Sequence, residues 1–307
     1  GYELVLGWRD SFKLAGSTFS YGITGTFSDY TAEYTKCDNP TGLIGDPYVG
    51  KKYGEIWGYK VDGLFRNDKE AAEYASRIDL STVASGYYTA TGAYGKGVRG
   101  GDIKYLDLNG DNIVNGGKGT LDDPGDRRVI GNSSPRYQYG ASLNFSWYGF
   151  DVSVFMQGIG RLDWYPGADN LRFWGPYCRP YATFVPKNFM SQVWSEENPD
   201  AYFPRARAYT SLNSNSGTAY YTNDRYLQNL AYCRLKNLTI GYTIPRRLTS
   251  KVGIKECRIY FSGENLATWS ALKSDFLDPE QAAADSDKKA NVYPWCKTYS
   301  IGLNLTF

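Results

Sequence analysis

The residues best spaced to do chemistry lie in the run Asp107-Leu108-Asn109-Gly110-Asp111-Asn112-Ile113-Val114-Asn115. Side-chain oxygens of Asp107, Asn109, Asp111 and Asn115 fall at relative positions 1, 3, 5 and 9, and the Ile113 carbonyl falls at 7. Hard oxygen donors at that spacing wrap a calcium ion as the chain turns, like the first part of an EF-hand loop. Two positions depart from the pattern: Asn112 replaces the usual Gly, and Lys118 stands at position 12 in place of Glu. Asn tolerates the left-handed backbone that the Gly position needs. The competing reading is an Asp/Asn/Gly turn without metal, and the two stay open. In either case the run is a structural loop clip and not a catalytic centre.

A second group of candidates is aromatic. Trp164, Tyr165, Phe173, Trp174, Tyr177, Tyr181 and Phe184 interleave with Asp163, Asp169, Arg172 and Arg179. Flat rings beside polar groups suit sugar rings or peptide side chains. For any one of these residues, packing onto a neighbour is the simpler role. For the segment as a whole, contact with a ligand or a covering protein is expected, carried by Trp164, Tyr165, Arg172, Phe173, Trp174, Tyr177, Arg179 and Tyr181.

Other chemistry is excluded. The chain has no His, which removes the commonest general base and transition-metal ligand, and with them a Ser-His-Asp triad or a zinc site. The five Cys (37, 178, 233, 257 and 296) are odd in number and show no CxxC spacing, so no disulfide framework follows. A net charge of +2 without a basic stripe gives no reason to expect nucleic acid. A glycosidase would need two carboxylates roughly 5–10 Å apart in a cleft, and no pair among the many acids stands out.

The elements that must position these residues are strands. From Tyr293 to Phe307 the odd positions Tyr293, Trp295, Tyr299, Ile301, Leu303, Leu305 and Phe307 are apolar or aromatic, and only Lys297 is out of step. Their even neighbours Thr298, Ser300, Gly302, Asn304 and Thr306 are small or polar. Such period-2 amphipathicity over about 9–11 residues suits a strand with one face in lipid. The same alternation runs through 2–9, 17–30, 136–148, 150–160, 228–244 and 256–268, and is cleanest in Tyr137, Tyr139, Ala141, Leu143, Phe145 and Trp147. Aromatic residues make up 16% of the chain, which suits a barrel with aromatic girdles and also suits a carbohydrate-binding β-protein. No 18-residue apolar run exists for a transmembrane helix.

Seven strands are joined by links that alternate in length. Short ones fall near 10–16, 148–149 and 245–256, and long ones near 31–135, 162–225 and 269–292. Outer-membrane barrels have short turns at one end and long loops at the other. The fold expected is therefore all-β: a transmembrane antiparallel β-barrel. Open strand edges in lipid leave backbone groups unsatisfied, so further strands must close it. Lys69–Ile78 and Phe184–Glu196 are helix candidates within the long loops, the latter with Pro186 in its first turn. Pro245-Arg246-Arg247-Leu248 reads as a solvated cap at a short turn, and the acidic stretch Asp275–Asp287 as a mobile loop.

Six ordered blocks then carry a family resemblance: GYELVLGWRD (1–10), IWGYKVDGLF (56–65), GDIKYLDLNGDNIVN (101–115), GDRRVIGNSSPRYQYG (125–140), YCRLKNLTIGYTIP (232–245) and FSGENLATWS (261–270). Together they resemble the carboxy-terminal part of the SusC/RagA-like TonB-dependent transporters of Bacteroidetes outer membranes, across nearly the whole chain. The resemblance implies seven strands of an about 22-stranded barrel with a plugged lumen. It also implies energised import of oligosaccharides or oligopeptides, a SusD-like surface lipoprotein and the TonB complex as partners, and no enzymatic step. In the family an Asp follows the Asp/Asn loop before an R-x-x-I-G segment, which makes Asp126, ahead of Arg127-Arg128-Val129-Ile130-Gly131, a further calcium ligand. The plug and TonB-contacting segments are expected in an amino-terminal part outside these 307 residues. Phe307 resembles the terminal aromatic that such barrels present to their assembly machinery. The alternatives are a non-energised surface binding or adhesion barrel and, more remotely, a secreted β-rich glycosidase.

Overall fold

The computed structural model describes residues 1–89, 97–178, 185, 187–207, 219–274, 277–284, 293 and 295–307. Along the chain the strands are β1 (Tyr2–Leu14), β2 (Ser17–Asp29), β3 (Glu55–Gly58), β4 (Val61–Leu64), β5 (Ile103–Tyr105), β6 (Arg128–Asn132), β7 (Arg136–Trp147), β8 (Phe150–Arg161), β9 (Asp163–Trp164), β10 (Gln228–Asn229), β11 (Tyr232–Thr243), β12 (Glu256–Ser270) and β13 (Thr298–Thr306). The α-helices are α1 (Asp68–Ala75), α2 (Ser85–Thr89), α3 (Leu171–Trp174), α4 (Arg246–Thr249) and α5 (Pro279–Ala282).

Seven of the strands make one antiparallel wall in the order β1-β2-β7-β8-β11-β12-β13, each beside its predecessor. Register carries the alternation across the whole wall. One row of paired positions reads Trp8, Ile23, Leu143, Val154, Leu238, Gly263 and Tyr299. The adjacent row, on the opposite face, reads Arg9, Gly22, Asn144, Ser153, Thr239, Ser262 and Ser300. Because the side-chain period is 2, successive residues of each strand alternate between the apolar and the polar face, with Gly263 and Gly22 the small residues in these two rows. On the apolar face Trp8, Ile23, Tyr299, Ile301 and Leu303 are exposed, as surface facing lipid would be.

Two turns set the register of the first two hairpins. Ala15-Gly16 and Tyr148-Gly149 have positive φ at both positions, the conformation of a two-residue I′ hairpin whose twist matches its strands. The hydroxyl of Tyr148 donates to the Ala15 carbonyl and Trp147 Nε1 to Leu14, so these short links lie side by side. β1 consequently runs on to Leu14, where the sequence suggested a looser link from residue 10. β13 is shorter than the alternation implied: it starts at Thr298, and neither Tyr293 nor residues 295–297 are in a strand. A bulge at Lys236, and Asn265 with φ 52, shift the pairing of β11 and β12 and bring Leu266 beside Gly263 on the apolar face.

The long links are not loose loops. They carry the antiparallel strand pairs β3–β6, β4–β5 and β9–β10 and most of the helices, and they share one hydrophobic core. α1 forms as expected, because Asn67 caps it by accepting from the Glu70 N–H, and Asp68 and Glu70 load its first turn with negative charge. The helix expected over Phe184–Glu196 does not form among the described residues. A single 3-10 turn, Met190–Gln192, precedes an extended segment in which Val193 bridges Phe203 and Trp194 N–H donates to the Phe203 carbonyl. Burying Phe189, Val193 and Trp194 against the core outweighs helix propensity there.

Candidate functional site

The Asp/Asn loop folds as a nest of side-chain-to-backbone bonds. Asp107 accepts from the N–H groups of Gly110 (2.7 Å) and Asn112 (2.9 Å), Asn109 from Asp111, and Asp111 from Ile113. Asn112 does adopt the left-handed conformation, with φ 65. Val114 is buried, and its N–H donates to the Asp79 carbonyl, which ties the loop to the segment after α1. Asp126 is engaged by the backbone of the loop. One of its oxygens accepts from Leu108 (2.6 Å) and Asn109 (3.3 Å), the other from Asn115 (2.9 Å). Its buried carboxylate therefore clamps the two ends of the turn by three N–H groups. Among the described residues no group of three His, Cys, Asp or Glu is placed to hold a metal ion. What the loop itself offers a cation is two carboxylates, two carboxamides and a carbonyl, a hard oxygen set.

The aromatic candidates divide. Trp164, Tyr165, Phe173, Trp174 and Tyr177 are buried and pack on one another and on Phe203 and Tyr226. The faces of Tyr165, Phe173, Trp174 and Tyr177 meet neighbouring rings, and Trp164 is buried in the same cluster, so the expectation that they meet a ligand gives way to packing. The phenol of Tyr177 donates to the Pro204 carbonyl and that of Tyr165 to Ala219 and Tyr221, so each ring keeps its polar end satisfied inside the core. Arg172 is exposed. Arg179 and Tyr181 lie outside the described residues.

Two ionic clamps hold this layer, and neither was foreseen. Asp102 and Arg207, both buried, meet at 2.6 Å and join the first long link to the second. Burial pushes the Asp102 carboxyl up to about 7, against the pull of the Arg207 guanidinium. On the wall, Arg234 is 2% exposed, and donates to Asp278 (2.6 Å), Glu280 (2.8 Å) and Thr268 (2.9 Å). Lys236 adds a second cation on Glu280. The acidic stretch expected to be mobile is, over its described residues 277–284, pinned to the wall through α5. A signal for this was present: Asp278-Pro279-Glu280 is a helix start, and Asp278 does cap α5.

The polar face of the wall carries its own ion pair. Arg258 on β12 reaches across β11 to Asp151 on β8, at 2.9 and 2.5 Å. Gly241 lies between them, and a Cβ there would sit 2.5 Å from the guanidinium and 2.6 Å from the carboxylate.

A meander with one apolar exposed face, one polar face and all its long links gathered into a layer is wall from an outer-membrane antiparallel β-barrel. No family model matches the chain. Three curated proteins of Formosa agariphila are similar in sequence: TonB-dependent receptor P26 (28% identical over 67% of this chain), P3 (25% over 84%) and P39 (26% over 80%). The chain spans 20%, 22% and 24% of their lengths. Among solved structures, the RagAB peptide transporter superposes with a TM-score of 0.56 at 17% identity, covering 99% of this chain and 28% of that one. The RagAB importer in its closed-closed state gives 0.54 at 16% identity, over 99% of this chain and 29% of that one. In sequence the chain is similar to part of these TonB-dependent receptors, and in fold to part of the RagAB transporter, as wall from an outer-membrane barrel would be.

Proposed function

We propose that the whole protein is a TonB-dependent importer, in which this chain supplies barrel wall and the external loop layer. The long-link end faces outside, and oligosaccharides or oligopeptides enter through the lumen from beneath a SusD-like lipoprotein. The observation that carries the reading is the two-sided wall, apolar on one face and lined by Arg, Ser, Thr and Asn on the other. Its relatives are receptors, not enzymes, and no bond-making step is assigned to it. The name of the RagAB peptide transporter favours oligopeptides over glycans. Uptake of labelled oligopeptides by cells carrying the full-length receptor tests this. Uptake should require both the receptor and TonB, and the lipoprotein should co-purify from native membranes. Unchanged uptake in cells without TonB would leave a passive binding barrel instead.

A structural calcium ion belongs to the same reading. The side chains of Asp107, Asn109, Asp111 and Asn115 and the Ile113 carbonyl would hold it, and it would stiffen the turn that Asp126 clamps. Terbium luminescence excited through nearby tyrosines should rise on the full receptor and be displaced by calcium. An equal signal from Asp107→Asn/Asp111→Asn would rule the site out.

A further inference from the structure

We propose that a cavity at the long-link rim of β2, β7 and β8 binds the phosphate of a membrane-lipid head group. The cavity has a volume of about 340 Å³, and Arg136, Arg161 and Lys52 are its cations. Arg136 and Arg161 are direct cross-strand partners, an arrangement that is unfavourable for like charges unless something neutralises them. Each is half answered by its own acid. Arg136 donates through Nε and Nη2 to Asp29 (2.5 and 2.6 Å), and Arg161 through Nε and Nη2 to one oxygen of Asp163 (3.3 and 3.0 Å). Among the described residues neither guanidinium's Nη1 has a hydrogen-bond partner, and nor does the Lys52 ammonium. The one acid lining the cavity, Glu55, is already engaged by the Tyr48 hydroxyl and the Lys52 N–H. Guanidinium N–H groups converging with an ammonium favour an oxyanion with several acceptor oxygens.

A lipid is the source because of what adjoins the cavity. Tyr137 lines it, with the Arg136 guanidinium 5.0 Å above its ring. The Tyr137 ring stacks on Phe27 (centroids 6.4 Å apart), and Phe27 stacks on Tyr2 (5.9 Å). This ladder belongs to the apolar face, at the end where an aromatic girdle meets the head-group layer. Acyl chains lying along the ladder would place a head group at the mouth of the cavity. A free anion would make no use of the ladder. The inference rests on the wall spanning the outer membrane, and not on import.

The test uses the full-length receptor purified in detergent, with lipid retention read by native mass spectrometry. The probes are a phosphorylated lipid A, its dephosphorylated form and inorganic phosphate. The wild type should retain the phosphorylated lipid, and Lys52→Gln/Arg161→Gln should retain about tenfold less, the loss expected for a charge-assisted contact. The variant leaves the Asp29–Arg136 pair intact, and heat-modifiable gel migration checks that it still folds. Tyr137→Ala should weaken lipid retention as well. Equal retention of the two lipid forms, or equal retention by wild type and variant, overturns the proposal. Displacement of the lipid by inorganic phosphate, with Tyr137→Ala unchanged, overturns the lipid assignment. Lipid retention in a receptor that fails to import would sink the transport reading and leave this one standing.

Discussion

The wall and the loop layer draw on the same stock of aromatic and aliphatic residues and place them in opposite ways. Ile301 on the wall is 84% exposed, while Trp174 in the layer is fully buried at 0%. The wall needs no core, because its apolar face meets lipid and its backbone bonds are satisfied between strands. The layer faces water and must bury its rings against one another, with buried arginines drawn in only where acids answer them. One chain thus obeys two solvents. Damage to one region should be readable separately from damage to the other.

The sharpest way to break that comparison is Trp174→Ala. It should cost the layer about 3–5 kcal/mol by opening a cavity in its core. Limited proteolysis should then cut the long links, while heat-modifiable migration, which reports the wall, stays normal. Loss of both would mean that the two regions fold as one unit. Arg234→Met tests the seam between them. Stranding Asp278, and leaving Glu280 to Lys236 alone, should cost about 3–5 kcal/mol and release α5, seen as faster hydrogen exchange over residues 277–284. Protection unchanged there would show that the clamp holds nothing. The converse experiment is Ile301→Lys, expected to cost about 2–4 kcal/mol if the residue lies near the bilayer midplane. Barrel migration should suffer and the layer should not. A variant as stable as wild type would place Ile301 away from lipid.

A smaller effect separates the regions by pH. The folded-state value of Asp102 lies above its unfolded value, so the folded layer holds a proton that the unfolded chain gives up. That contribution is complete below about pH 4, and it is lost as pH rises towards about 7. Its size is roughly 1.4 kcal/mol for each unit of difference. Protease resistance of the layer should therefore fall between pH 5 and pH 8, and Asp102→Asn should flatten the profile. A rise over that window would show that the Arg207 partnership dominates instead.

The wall was legible in the sequence and the layer was not, for a physical reason. A strand between lipid and a polar lumen must alternate at every residue, so Tyr137 to Trp147 declares its face without any tertiary information. Even there, the bulge at Lys236 and the left-handed Asn265 were invisible, because a single extra residue leaves no compositional mark. Inside the layer, Trp164 to Tyr177 could only be read as a set of aromatic rings. Whether a ring meets a ligand or another ring depends on partners such as Phe203 and Tyr226, which lie far along the chain. For Asp126, spacing reveals a carboxylate near the loop and not that the N–H groups of Leu108, Asn109 and Asn115 reach it.

Gly241 gives the ion pair above it a significance for assembly. Arg258 and Asp151 belong to strands that are not neighbours, so they can meet only after β11 has been seated between them. If β11 slid by one residue, Ile240 or Tyr242 would arrive where Gly241 belongs, and either side chain would hold the charges apart. The pair therefore closes only over a correctly threaded strand.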